Sequence, residues 1–348
     1  MKVAGVAVTK GITFLIPTHC RAGYLRRALA YYGGAGVDIA VADSSPQAYS
    51  GQILGPVRYF HCPGQAFMAK LASVAEQIRT PYVLFCADDD FTVPRAVEAC
   101  LAFLEEHPDY VTAQGDFYSA EARADGAHLA RIYPQADQVC VDSNSPLERL
   151  QQVQDPYIPS FYSVQRTTLL RDYVLLAGNG LENYNMLELF SAMLAAIHGK
   201  HKQLPLFYGV REAVPSQAPK DPRRRDGVEV VSRESRYASE YSLVVERAAA
   251  LLTRLHDVPP ETAREAVRAS VERFVSRYCI HTPRRTFLQK LPKYARRLTG
   301  ALTGAGQAER QAEARQEELA MQVHFSAYDQ SAASERDAIL RLVAAGVA

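Results

Sequence analysis

Three consecutive carboxylates, Asp88, Asp89 and Asp90, follow an apolar run that ends at Cys86. Clustered like charges raise one another's pKa values unless a cation lies among them. A hard divalent ion, Mg²⁺ or Mn²⁺, held by one or two carboxylates together with substrate phosphates would relieve this repulsion. The triplet therefore predicts a metal site. A solvated acidic turn that caps the following helix is the alternative that requires no ligand.

The same residues fit a second chemistry. The string from Asp88 to Thr92 satisfies D-x-D-x-T, in which phosphatases of the haloacid-dehalogenase type phosphorylate the first Asp and use the second as acid and base. That motif ordinarily ends the first strand of its domain, but here several strand and helix patterns precede it. The second acidic pair that such enzymes need is also missing from the sequence after Asp90. Both observations count against a phosphatase.

Composition restricts the class of protein. The chain has 348 residues, of which 48% are hydrophobic and 22% charged, as in an ordinary soluble globular protein. A formal net charge of +1 gives no overall field that would attract nucleic acid. The six cysteines form no C-x-x-C pair, which argues against a zinc knuckle or a disulfide scaffold. The amino terminus shows no signal-peptide pattern, so we expect a cytoplasmic protein.

The elements that must position the triplet alternate between strand and helix. Pro94 stands at the start of one helix, where a missing N–H costs nothing. Strands separated by helices of this length indicate βαβ units and a mainly parallel sheet. The triplet then lies at the C-terminal edge of a strand, where open parallel sheets bind their ligands. Strands are predicted at 12–16, 38–43, 57–61 and 82–86, and helices at 22–33, 66–78 and 94–106.

The second half of the chain is predicted to be mainly helical. One helix is predicted from about 185 to 198, with Gly199 as its C-terminal stop. Residues 213–227 are rich in Pro and charge, which indicates a loop, and Ala, Leu, Glu and Arg dominate from about 235 onward. We expect a catalytic α/β domain over 1–212, a flexible Pro/Arg-rich loop over 213–234 and a helical C-terminal region over 235–348.

Four features follow one another in order between Ile12 and Tyr110. They are the opening strand and turn Ile16-Pro17-Thr18-His19-Cys20-Arg21, the second strand ending in Val41-Ala42-Asp43-Ser44-Ser45, the D-x-D region Cys86-Ala87-Asp88-Asp89-Asp90-Phe91 with its Pro-led helix, and the stretch Phe103–Tyr110. In their order and spacing the chain resembles bacterial family 2-like glycosyltransferases over about 100 residues. The resemblance implies a GT-A fold, which is Rossmann-like with a mainly parallel mixed sheet flanked by helices, and a nucleotide-sugar donor.

After residue 112 the resemblance is confined to one region. Inverting members carry a Glu-Asp pair near the start of a helix, and its carboxylate deprotonates the acceptor hydroxyl. Leu187-Glu188 stands in that place, and Gly199 lies eleven residues beyond Glu188, as the family's helix end requires. The chain departs from the pattern in having Leu-Glu for Glu-Asp. The resemblance therefore implies Glu188 as the catalytic base, with Glu182 as the alternative.

The resemblance also assigns donor-binding roles. The turn with Pro17, Thr18 and Arg21 would line the nucleotide pocket, and Asp43 would accept a hydrogen bond from the nucleobase. Arg21 and Lys70 would neutralise phosphate.

The acidic triplet would complete this donor site. Asp88 would reach the ribose or the metal, and Asp89 and Asp90 would hold Mn²⁺ or Mg²⁺. The implied function is inverting transfer from a nucleotide-sugar, with UDP as the first choice of nucleotide, to a glycan or lipid-linked acceptor in bacterial surface polysaccharide or glycoconjugate synthesis. A catalytically inactive GT-A subunit that only binds is the alternative function.

Two basic segments lie outside this scheme. Arg223–Arg225 could close over a diphosphate or form a solvated loop. Residues 284–297 hold six basic and no acidic side chains among aromatic and aliphatic ones, which could lie peripherally on the anionic inner face of the plasma membrane or form a homodimer surface through the helical tail. Nucleic-acid binding is not expected, because the aromatic residues follow no recognised RNA or DNA module.

Overall fold

The computed structural model describes residues 11–123, 126–133, 139–157, 159–178, 180–214, 224–279, 325, 328 and 330–347. Within these residues, ten strands form one mixed sheet. The strands are β1 (Ile12–Thr18), β2 (Asp38–Asp43), β3 (Val57–His61), β4 (Tyr82–Phe85), β5 (Asp90–Thr92), β6 (Tyr110–Arg123), β7 (Gly126–Arg131), β8 (Cys140–Val141), β9 (Val164–Arg166) and β10 (Lys200–Glu212).

The sheet order explains which strand ends meet. The sequence of neighbours is β3-β2-β1-β4-β9-β6-β10-β5, with β7 beside β6 and β8 beside β10. β1 pairs in parallel with β2 and β4, and β2 pairs in parallel with β3. β9 is antiparallel to β4 and β6, and β5 is antiparallel to β10. The α/β class and the mixed sheet predicted from the sequence are confirmed, and the C-terminal ends of β1, β2 and β4 lie at one edge.

Helices cover both faces of the sheet. Leu15, Ala40 and Ala42 belong to one hydrophobic core, whereas Ile16 and Val41 belong to the other, as the alternation of side chains along a strand requires. The helices are α1 (Ala22–Tyr32), α2 (Phe67–Ala75), α3 (Pro94–Glu106), α4 (Pro146–Gln152), α5 (Thr167–Ala177), α6 (Tyr184–His198), α7 (Val228–Arg233), α8 (Ala238–His256), α9 (Pro260–Phe274) and α10 (Gln330–Ala345).

Most predicted elements lie within a few residues of their observed bounds, and β5, β6 and β10 are the main additions. β6 and β10 are long, pair in parallel and are interrupted by register shifts. Gly199 does end α6, but its backbone is extended. A Cβ at this position would lie 2.7 Å from Cγ1 of Val111 and 2.8 Å from the carbonyl oxygen of Asp109. Glycine is therefore required here by the close approach of β6 rather than by a left-handed cap.

The helical C-terminal region is only partly described. α8 and α9 pack against the core around α6, whereas α10 packs against β6, β7 and β10. The basic stretch 284–297 lies outside the described residues, as do residues 215–223 of the Pro/Arg-rich loop. Of the helices that are described, none combines the length and the apolarity needed to cross a bilayer.

Burial of His201 on β10 makes the free energy of unfolding depend on pH. Its side chain is 4% exposed, and burial lowers its pKa from 6.5 to about 4. A histidine whose folded pKa is depressed stabilises the protein above its unfolded pKa and loses that contribution as pH falls. In the structure, Nδ1 of His201 lies 2.9 Å from Oγ1 of Thr112, and the side-chain amide of asparagine can replace this hydrogen bond. We therefore expect His201→Asn to reduce the loss of unfolding free energy between pH 6.5 and 4. The loss amounts to roughly 3 kcal/mol.

Urea titrations at several pH values measure this effect. His128→Asn is the matched control because His128 is exposed on β7. An unchanged pH dependence in His201→Asn would assign the acid sensitivity to other groups.

Candidate active site

A cavity of about 860 Å³ opens at the C-terminal ends of β1 and β4, the edge at which the sequence predicted ligand binding. Its polar half is formed by the turn after β1, the residues after β4 and α2. Its other half is formed by α6 and by aromatic side chains. Of the predicted site residues, the cavity wall contains Pro17, Thr18, Arg21, Lys70, Asp88, Asp89 and Glu188.

Arg21 neutralises two carboxylates of the acidic triplet. Its Nη1 lies 3.0 Å from Oδ1 of Asp88 and its Nη2 lies 2.6 Å from Oδ2 of Asp89. Its guanidinium also stacks 4.2 Å from the ring centroid of Tyr24 on α1. Burial alone would lower the pKa of Arg21, but the charges of Asp88 and Asp89 outweigh it and raise the pKa overall. The repulsion between neighbouring carboxylates is thus relieved by a cation from this chain itself.

Asp88 is the buried member of this cluster. It is 3% exposed, and burial raises its pKa to about 6, although the hydrogen bond from Thr18 and the charge of Arg21 act in the opposite direction. Thr18 donates through Oγ1 to Oδ2 of Asp88 at 2.6 Å. The end of β1 and the residues after β4 are therefore joined through side chains as well as through the sheet.

Lys70 reaches the same edge of the sheet from α2. Its Nζ donates to the carbonyl oxygen of Thr18 at 2.7 Å and to Oγ of Ser44 at 3.1 Å. Burial lowers the pKa of Lys70, while the nearby charges of Asp43 and Asp88 oppose the shift. This ammonium group fixes the ends of β1 and β2 beside each other and adds positive charge to the polar half of the cavity.

Asp43 lies beneath the cavity rather than in its wall. The side chain is 2% exposed. The backbone N–H and the hydroxyl of Ser45 donate to its Oδ1, and the hydroxyl of Tyr59 donates to Oδ2 at 2.6 Å. Burial alone would raise the pKa of Asp43, but these hydrogen bonds lower it overall. A contact between Asp43 and a nucleobase, which the resemblance implies, would have to reach this buried carboxylate, whose two oxygens already accept hydrogen bonds.

Asp90 is separated from the other two members of the triplet. It begins β5 and lies opposite Arg211 of β10. Burial raises the pKa of Asp90 to about 7, with a further increase from the charge of Asp89, whereas the charge of Arg211 and the backbone N–H of Glu212 oppose the shift. Pairing of β5 with β10 therefore divides a run of three identical residues between two environments.

This division bears on the predicted metal site. Among the described residues, no three His, Cys, Asp or Glu side chains come together to hold an ion by themselves, so the triplet does not converge as the sequence predicted. Asp88 and Asp89 do present carboxylate oxygens at the cavity wall. Such a donor pair fits a hard divalent ion when substrate phosphates complete its coordination. A metal site built from Asp88 and Asp89 alone stays a proposal.

Glu188 lies near the start of α6 and lines the half of the cavity opposite the carboxylate and cation cluster. The helix is started by Asn183, whose Oδ1 accepts from the backbone N–H of Met186 at 2.9 Å. Burial raises the pKa of Glu188, whereas the charge of Arg211 and a 3.4 Å hydrogen bond from the hydroxyl of Tyr157 lower it. A half-buried carboxylate with a raised pKa, open to a cavity, has the properties of a general base.

Glu182, the alternative base, is placed differently. Its side chain is 67% exposed and lies 3.5 Å from Nη2 of Arg224. Arg224 itself lines the cavity, and the backbone carbonyl of its neighbour Arg225 accepts from Nδ2 of Asn185 at 3.1 Å. The geometry favours Glu188 as the base. The contacts of Arg224 and Arg225 also hold the C-terminal part of the Pro/Arg-rich loop beside α6.

The sequence did not single out Arg211 or the aromatic wall. Arg211 and Glu212 form a charged pair directly after the apolar run Phe207–Val210, and this pair was the signal in the sequence that could have indicated a functional residue. The aromatic wall combines side chains from α2, α5, α6 and the segment before β9, so that only the folded chain brings them together. Its members are Phe67, Phe161, Tyr162, Tyr173 and Tyr184.

Comparison with known proteins agrees with this geometry. Residues 13–174 match the family described as glycosyl transferase family 2. No curated protein sequence matches the chain. The crystal structure of S. aureus TarS 1–349 is similar at 13% identity and a TM-score of 0.50, over 81% of this chain and 77% of that one. The same protein in complex with UDP-GlcNAc gives 14% identity and a TM-score of 0.49, over 76% and 72% of the two chains.

At this identity the solved structures bear on the fold alone, whereas the family match covers β1 to α5 and includes the acidic triplet. The family match supports glycosyl transfer rather than the phosphatase chemistry of D-x-D-x-T. Residues 13–174 therefore match glycosyl transferase family 2, and the described chain has a GT-A-like α/β fold with a helical C-terminal region.

Proposed function

We propose that this chain transfers a sugar, with inversion and with the help of a divalent metal, from a nucleotide-sugar to an acceptor hydroxyl. The supporting observation is that one cavity combines a carboxylate and cation cluster on one side with Glu188 on the other. The carboxylate and cation cluster would bind the charged donor, and Glu188 would remove a proton from the acceptor. UDP is the first choice of nucleotide, and the acceptor is a glycan or a lipid-linked glycan of bacterial surface polysaccharide or glycoconjugate synthesis.

The polar half of the cavity, called the donor half below, would bind the diphosphate of the nucleotide-sugar. Arg21 and Lys70 carry positive charge to the cavity wall, and both are held by hydrogen bonds or ion pairs before the donor arrives. Preorganised charge of this kind stabilises negative charge that develops on a leaving group without a cost of reorganisation. Asp88 and Asp89 would hold Mn²⁺ or Mg²⁺, and such an ion supplies Lewis-acid stabilisation of the departing diphosphate.

The other half of the cavity, which contains Glu188, would remove a proton from the acceptor hydroxyl. The Glu188 carboxylate would take the proton of the acceptor hydroxyl as that oxygen attacks the anomeric carbon, which inverts its configuration. The aromatic wall beside Glu188 excludes water and offers flat apolar surfaces for the CH faces of sugar rings. Arg224 stands at the rim of this half and is available to an anionic substrate group.

A panel of titrations tests the donor assignment. UDP-, GDP- and CDP-sugars are titrated calorimetrically into the full chain with and without Mn²⁺. One nucleotide should bind clearly better than the others, and only when the metal is present. Equal binding with and without Mn²⁺ would remove the metal from the proposal, and NMR of the product's anomeric proton decides between inversion and retention.

The separation of the acidic triplet gives a paired prediction. Asp89→Asn should lower kcat by about 10²-fold and raise the Mn²⁺ concentration required for half-maximal activity, because Asp89 would help to hold the ion that stabilises the charge of the diphosphate. Asp90→Asn should keep the same Mn²⁺ requirement, since Asp90 faces Arg211 instead. Activity is measured against Mn²⁺ concentration for both variants. Equal shifts in the two would restore the three-carboxylate metal site.

Location and assembly also remain proposals. We infer a cytoplasmic enzyme that contacts the inner face of the plasma membrane through residues 284–297, or that forms a homodimer through its helical tail. Flotation with anionic liposomes at low salt tests the first, and the mass in solution tests the second. The six basic side chains of that segment are the observation that motivates both.

A further inference from the structure

Arg211 occupies a buried position that local hydrogen bonding does not explain. Its guanidinium carbon lies 4.3 Å from the ring centroid of Tyr162 and 5.3 Å from that of Phe117. Its Nε and Nη2 are buried without a hydrogen-bond partner among the described residues. Leaving buried donors unpaired is costly, so the position must be stabilised by something other than hydrogen bonds to these two atoms.

The packing around Arg211 holds it in place. Tyr162 belongs to the aromatic wall of the cavity, and Arg211 stacks against it. Phe117 of β6 packs directly on the backbone of β10, where a Cβ at Gly209 would lie 2.3 Å from Cε1 of Phe117. Glycine is therefore needed two residues before Arg211 for the ring to approach. The guanidinium is fixed by two aromatic rings, one of them in the cavity wall.

The charges that face Glu188 come from few groups. The phenols of Tyr133, Tyr157, Tyr162 and Tyr173 interact with its carboxylate, and burial raises the pKa of each of them above the ordinary value, so all four are neutral at physiological pH. Arg211 stacks on Tyr162, which lines the same cavity as Glu188, and its charge lowers the pKa of Glu188. Arg224 lines the same cavity but lies beside Glu182.

We propose that Arg211 is a positioning residue for the catalytic base: clamped by Tyr162 and Phe117, it supplies the positive charge that keeps the Glu188 carboxylate ready to accept a proton. Asp90 lies opposite Arg211 in the pairing of β5 with β10. The inference rests on the proposed role of Glu188 as the base.

Removing the charge should alter the pH profile rather than lower activity uniformly. An opposite charge near a carboxylate lowers its pKa by about 1 to 3 units. In Arg211→Met, the acid limb of the kcat profile should move up by about one unit, with a roughly tenfold loss of rate on that limb. Activity at high pH should recover toward that of the unchanged protein. Arg211→Lys keeps the charge and should keep the position of the limb.

The test measures kcat between pH 5.5 and 9 for the full-length variants, with donor binding followed by calorimetry. Arg166→Met is the matched control: Arg166 also stacks on a tyrosine, 5.5 Å from the ring centroid of Tyr82, but it lies on β9 away from the cavity. It should lower stability without moving the limb. If Arg211→Met does not fold, Arg211→Gln carries the same test.

A limb that stays in place in the neutral variants, with the same fractional loss of activity at every pH, would overturn the positioning role. This outcome is distinguishable from failure of the proposed function. If Glu188→Gln retains full transfer, the base assignment itself is wrong. If Glu188→Gln is inactive while Arg211→Met keeps the original limb, only the role of Arg211 is wrong.

Discussion

Glu188→Gln should lower kcat for sugar transfer by about 10²- to 10⁴-fold, the usual contribution of a general base. The amide keeps the size of the side chain and can still accept the hydrogen bond from Tyr157, which is 3.4 Å away in the structure. Only the ability to take a proton is lost. Binding of the nucleotide-sugar should remain nearly unchanged, because the residues proposed to bind the diphosphate lie in the other half of the cavity.

Glu182→Gln is the matched control for this result. Glu182 is 67% exposed and paired with Arg224, so its replacement should leave kcat close to that of the unchanged protein. Initial rates with saturating donor and calorimetric donor titrations are measured for both variants. Full activity in Glu188→Gln together with an inactive Glu182→Gln would reverse the assignment and move the chemistry to the rim of the cavity.

The pH dependence of kcat gives a further check on Glu188. Burial raises its pKa above the ordinary value of 4.5, so the ionised, active form is lost at a higher pH than for an exposed glutamate. Activity should therefore rise with pH through an acid limb that lies above the ordinary glutamate range. Asp88, whose pKa is raised to about 6, contributes to donor binding in the same region, so kcat and KM for the donor must be measured separately.

The sheet strands β1 to β4 and the helices between them follow from the sequence because each is a short apolar run bounded by turn residues. β6 and β10 do not follow in this way. β6 carries buried polar side chains at Thr112, Gln114 and Asp116, which reduce its apolar character. Two of these are satisfied by β10, since Thr112 bonds to His201 and Asp116 accepts from Gln203. Partners nearly ninety residues away in the chain are not visible in a local pattern.

The candidate site shows the same limit. Residues near the ends of β1 and β4 were predicted correctly as cavity residues because the strand ends determine where they lie. Asp90 was grouped with Asp88 and Asp89 because the three are identical and adjacent, but its environment is decided by pairing with β10. Asp43 has the expected position at the end of β2. One of its hydrogen-bond donors is the neighbouring Ser45, whereas the other, Tyr59, is contributed by β3. Residue type and spacing predicted the neighbourhood, and long-range pairing determined each role.

The C-terminal helix is more closely integrated than an appendage would be. Phe325, Ile339 and Val343 are buried in the same hydrophobic core as Phe91 of β5. Tyr328 donates to Asp116 of β6, and its hydroxyl lies 2.8 Å from that of Tyr118. The ring of Phe91 in turn lies 5.2 Å from that of Tyr31 on α1. The helix therefore packs on β6, β7 and β10, and β10 is the strand that carries Arg211.

Truncation after residue 324 should consequently destabilise the whole catalytic domain. Burying a large apolar side chain contributes about 1.5 to 3 kcal/mol, so losing Phe325, Ile339 and Val343 from the core should cost on the order of 6 kcal/mol. That is comparable to the entire stability of many domains, about 5 to 15 kcal/mol. Urea denaturation followed by circular dichroism measures the change, and transfer activity should fall with it.

Two point variants separate core packing from the general effect of shortening the chain. Ile339→Ala should lower the unfolding free energy by about 2 to 4 kcal/mol, because the side chain is fully buried. Arg341→Ala, at an exposed position of the same helix, should change it by less than about 0.5 kcal/mol. If the truncated chain and Ile339→Ala both keep the original urea midpoint, α10 is a true appendage.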